Sequence, residues 1–256
     1  MAFFALPLIL DKKKRAASMD IKDVIARRTD LSTFLIHLTR DSEPQTARVK
    51  LQQILAAWEL MARSPYGAAV QRLNTAGQNA DSQRCVCFTE SPLEHVYWLL
   101  REIDDRQIQF KPFGIALPKK EGRKLRINPV WYVDTTPAQG HYWLMHPINA
   151  LIDEAIHEEG FPGSHIARIA PFVEQMGTWQ GNRKEFWWER EWRHVGNLTL
   201  PGRIIVLCPE ADFAHFQNFV AQNQPQRSCI FIDPHWGLEQ IIGRLAGYTA
   251  ADIEML

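Results

Sequence analysis

Glu185-Phe186-Trp187-Trp188-Glu189-Arg190-Glu191-Trp192-Arg193 consists only of aromatic and charged residues. A period of two predicts a strand with Trp187, Glu189, Glu191 and Arg193 on one face and Phe186, Trp188, Arg190 and Trp192 on the other. Aromatic packing behind two carboxylates and a guanidinium would give a polar site a rigid backing. The same alternation suits a solvated strand, whose cross-strand ion pairs are worth about 0.2–1 kcal/mol each.

The 256 residues carry 29 lysines plus arginines against 29 aspartates plus glutamates, so no bulk basic field draws the chain to nucleic acid or a membrane. Cys85, Cys87, Cys208 and Cys229 are too scattered for a disulfide framework and read as buried reduced thiols of a cytoplasmic protein. The apolar run Met1–Leu10 is short of the ~20 residues a span requires, and its basic cluster follows instead of preceding it. No export signal or membrane span is expected. Residues 1–18 read as an N-terminal extension and 19–256 as one domain.

Outward from the aromatic stretch, Phe34–Thr39 predicts a buried strand carrying His37. Ser42-Glu43-Pro44 then opens a long helix with the stripe Leu51, Ile54, Leu55 and Trp58, and a short helix is expected over 20–27. Gly67–Gln83 lacks periodicity and reads as a loop. Cys85–Phe88, Phe113–Leu117 and Pro129–Val133 read as strands, the last two as a hairpin across a basic turn. Residues 142–176 read as helical, with a break at 160–163. Arg203–Leu207 and Cys229–Ile232 are buried strands, each followed by a helix. The fold class is α+β, a single domain with about seven short strands and flanking helices.

Several segments together resemble a known family. His37 in "LIHLTR" is similar to the opening strand of ADP-ribosyltransferase-like domains. "CVCFTESPL", "FKPFGIALPKKEG", "INPVWYV" and "FWWEREWRHV" resemble, in that order, segments of the AbiGi-like abortive-infection proteins. The resemblance runs intermittently from Leu31 to Leu198, and its most specific piece is Glu189–Arg193. It implies an ADP-ribosyltransferase-like split, bent antiparallel sheet and a cleft for NAD. It also implies a setting in bacterial defence against phage, as a toxin-like effector that modifies a protein or nucleic-acid acceptor.

In that reading Glu191 is the catalytic carboxylate near an oxocarbenium-like ribose. Glu189, roughly 7 Å away on one strand face, orients or deprotonates the acceptor. His37 holds the ribose, Thr39 and Arg40 offer polar and phosphate contacts, and Thr89 supports the glutamate. Arg193 contacts phosphate. Phe113 stands where relatives tend to carry tyrosine, keeping the stacking surface without the hydroxyl, and Tyr132, Tyr97 or Trp131 could supply the aromatic instead. Two rivals stand beside it. One is a catalytically silent relative that acts as antitoxin or sensor by binding a partner protein through the aromatic cleft. The other is an RNA-cleaving toxin using His37, His194 and Glu191. His141, His146, His157 and His165 form no metal-ligand spacing, so no metal is expected.

Overall fold

The computed structural model describes residues 28–102, 108–136, 144–158, 160–179, 182–184 and 187–248. The expected N-terminal extension, the helix over 20–27, and His141, Glu185 and Phe186 lie outside the described residues. The strands are β1 (Phe34–Leu38), β2 (Glu59–Leu60), β3 (Ser64–Pro65), β4 (Arg84–Thr89), β5 (Gly114–Pro118), β6 (Asn128–Pro129) and β7 (Trp131–Asp134). They continue with β8 (Val173–Trp179), β9 (Asn182–Lys184), β10 (Glu191–Val195), β11 (Leu198–Thr199), β12 (Arg203–Leu207) and β13 (Ser228–Ile232). The α-helices are α1 (Ala47–Ala57), α2 (Val70–Thr75), α3 (Val96–Leu99), α4 (Lys119–Lys124), α5 (Met145–His157), α6 (His165–Ile169), α7 (Phe213–Asn223) and α8 (Leu238–Ala246).

The chain is mixed α+β. Its main sheet runs β13-β12-β5-β1-β4-β10-β6, with β3 added beside β4; every pair is antiparallel except β12 with β13. Alternation along the strands buries both faces. Leu35, Ile115, Leu117, Ile204 and Val206 pack toward Leu51 and Leu55 of α1 and Phe216 and Val220 of α7. Ile36, Ala116, Ile205 and Leu207 pack on the other side with Val96 and Leu99 of α3 and Ile241 of α8. A third cluster joins Ala69, Leu73, Val133, Ile152, Phe161 and Val173 around α2, α5, β7 and β8. Among the described residues no helix is long and apolar enough to cross a membrane.

Several boundaries depart from the sequence pattern. The helix expected from Ser42 begins at Ala47, because Ser42 and Gln45 exchange backbone hydrogen bonds in a turn and Thr46 caps the Val49 N–H. The Gly67–Gln83 loop contains α2 and a 3-10 turn at Asp81–Gln83, held by burial of Ala68, Ala69 and Leu73. The basic turn after β5 is the helix α4, and the expected hairpin does not form. β5 lies between β1 and β12, while β6 pairs with β10 and β7 runs parallel to β8. Residues 173–176, expected to be helical, belong to β8, where pairing with β7 outweighs their apolar spacing.

Candidate functional site

The predicted nine-residue strand is two structures. Trp187–Glu189 forms a 3-10 turn, Arg190 adopts a left-handed conformation (φ 46°), and the strand starts only at Glu191. Glu189 is therefore not a strand-face neighbour of Glu191. Its backbone carbonyl accepts a 2.7 Å hydrogen bond from the Thr89 hydroxyl. Thr89 also pairs with Glu191 across β4 and β10, but its hydroxyl is directed at the turn and not at the Glu191 carboxylate.

Glu191 and Arg193 do share a face, and they are bound to each other. Arg193 Nε donates to Glu191 Oε1 and Nη2 to Oε2, both at 2.9 Å. Nη2 also donates to Glu174 Oε2 at 2.9 Å, and Nη1 to the Pro171 carbonyl at 2.7 Å. The Arg193 side chain is 2% exposed and each carboxylate partner 18%. Its guanidinium lies 4.9 Å from the Tyr66 ring centroid. Burial opposes the guanidinium charge, but the charges of Glu191 and Glu174 outweigh it and push its pKa above the ordinary arginine value. Arg193 thus joins the main sheet to β8 and to the turn before it. It is not placed to hold a phosphate.

Tyr132, Cys87 and Tyr66 surround the same carboxylate. Burial raises the pKa of all three, and the charge of Glu191 adds to each rise. Sequence reasoning singled out Tyr132 but missed Tyr66, Cys87 and Glu174 as neighbours. Cys87 could have been found from its place two residues after Cys85 on a strand; Tyr66, in a segment without periodicity, gave no signal.

His37 sits on β1 with β4 between it and β10. Its Nδ1–H donates to the Cys87 carbonyl at 2.8 Å, and its ring lies 5.8 Å from that of Phe88. Burial lowers its pKa, with the Cys87 carbonyl opposing. Thr39 is buried, and its hydroxyl is directed at the Phe113 and Ala47 carbonyls, 2.9 and 3.1 Å away. Arg40 is exposed and near enough for its charge to act on Tyr66. Phe113 is half-buried and packs edge-on against Phe216 at 6.4 Å, on the margin of the core between the sheet and the helices. Thr39 and Phe113 therefore hold the strand end together.

No curated protein and no solved structure matches this chain. A family model does, described as "Putative abortive phage resistance protein AbiGi, antitoxin", over residues 71–221. Its antitoxin designation overturns the expectation of a toxin-like, NAD-dependent transferase effector and accords with the partner-binding alternative. With more than half of its length matched, the chain belongs to the AbiGi family of abortive phage resistance.

Proposed function

We propose that this protein is a catalytically silent antitoxin that binds a toxic partner protein and holds it inactive. The observation that carries the reading is the engagement of both Glu191 oxygens by Arg193. A carboxylate that stabilises a cationic sugar centre must present its charge to the substrate. Here a buried guanidinium shared with Glu174 already neutralises it. The family's antitoxin designation supports the same conclusion. The scaffold is read as ADP-ribosyltransferase-like, supported by His37 on β1 and Glu191 on β10 with β4 between them.

The partner to test first is the product of the gene adjacent to this one in its host, expressed from an inducible promoter. Co-expression of this chain restores growth, and the Glu191→Gln variant protects equally well. Growth arrest by this chain alone, or loss of protection in a folded Glu191→Gln protein, would refute the reading.

A further inference from the structure

The geometry points to the three tryptophans around the start of β10 as the surface that grips the partner protein, a deepening that rests on the antitoxin reading. Trp187 and Trp188 lie in the 3-10 turn and are 56% and 42% exposed; Trp131, the first residue of β7, is 57% exposed. Backbone pairing brings these segments together. The Val130 N–H, next to Trp131, donates to the Glu191 carbonyl, and the N–H of Arg190, next to Glu191, donates to the Trp187 carbonyl. Arg190 in turn is tied by its guanidinium to Asp30 at 2.8 Å.

Trp58 and Trp192, by contrast, are buried, with their Nε1–H groups donating to the Pro201 carbonyl and to Glu90. A tryptophan presents up to ~250 Å² when fully accessible, so the three together expose roughly 400 Å². Exposed apolar area on that scale, brought to the start of β10, would supply about half of one partner's share of a standard interface. Tryptophan and arginine are also the residues on which binding energy concentrates.

The same features define the occupant. Among the described residues, Arg190 is paired with Asp30 and Arg193 is buried, and the chain has equal numbers of acidic and basic residues. A single-stranded nucleic acid would need a basic track beside the stacking rings. The complementary surface is instead an apolar concavity on a protein, with a polar rim that meets Arg190 and Asp30.

The test uses the full chain and the tagged product of the adjacent gene. Trp131→Ala and Trp187→Ala are each expected to weaken binding roughly 30-fold. Leu238→Ser and Ile242→Ser, on the exposed apolar face of α8, bind as the parent does. Hydrogen exchange on the unaltered protein, with and without the partner, provides a readout that no misfolded variant can confuse. Protection of the peptides carrying residues 131–134 and 187–190 supports the surface. Full-strength binding by the tryptophan variants with protection at α8 overturns it and leaves the antitoxin reading standing. No binding by the unaltered chain overturns both. Protection of the two peptides by single-stranded RNA but not by the partner overturns the proposal in favour of base stacking.

Discussion

Replacing Arg193 by methionine removes the one cation that two carboxylates share. The variant loses both bonds to Glu191, the bond to Glu174, the bond to the Pro171 carbonyl and the contact with the Tyr66 ring. Removing one member of a buried ion pair typically costs about 3–5 kcal/mol. Because the glutamates retain 18% exposure, some hydration returns to them, and the lower end, about 3 kcal/mol, is expected. For a chain of this size that corresponds to a fall in Tm of roughly 6–12 °C. Thermal and urea unfolding followed by circular dichroism measure it. The raised pKa of Arg193 means its contribution is fully present below the ordinary arginine value, so guanidinium titration removes none of it in the working range. Adding Glu191→Gln and Glu174→Gln to the variant recovers part of the loss. A deficit below about 1 kcal/mol would show that the network is a solvated ion pair and not a joint between β10 and β8.

Further outcomes follow from the packing of the sheet. A Cβ on Gly114 would lie 2.3 Å from the His37 carbonyl oxygen, where β5 meets β1, so Gly114→Ala is expected to cost about 2–3 kcal/mol, read as a shift in urea midpoint. The lowered pKa of His37 makes its contribution present above the unfolded value of 6.5 and lost as the pH falls below it. His37→Phe, which keeps an aromatic ring beside Phe88, should therefore show a shallower loss of stability between pH 7 and pH 5 than the parent. Burial pushes the Cys85, Cys208 and Cys229 thiols up to about 12 and Cys87 well above its ordinary value. Iodoacetamide at pH 8 should label all four slowly in the native protein and rapidly in urea, as mass spectrometry would show.

Elements whose own residues match their environment were legible in the sequence. Ile204–Leu207 is continuous apolar chain, reads as buried strand and is so, with Arg203 exposed at its start, and the helix predicted from Leu238, Ile241, Ile242 and Leu245 spans Leu238–Ala246. Even there the pattern misplaces the faces. Ile241 is buried, while Leu238 and Ile242 are exposed, because periodicity identifies an apolar stripe without identifying what covers it. Trp187–Glu189 shows the opposite failure: an alternation suited to a strand became a turn, since pairing with β4 begins at Glu191 and Arg190 turns the chain with a positive φ. The Gly67–Gln83 segment has no local signal for α2, which long-range burial of small side chains supplies.

The amino-acid sequence by itself determined the class of the fold and the central strands, because those depend on alternation and composition along short stretches. Tertiary structure decided the surroundings of each side chain. Whether Glu191 faces a substrate or a guanidinium depends on Arg193 beside it, Glu174 across on β8 and the Pro171 carbonyl, groups brought together only by packing. Whether a tryptophan fills the core or stands in water depends likewise on the neighbours assembled around it: Trp192 is buried against Glu90, and Trp187, five residues earlier, is not.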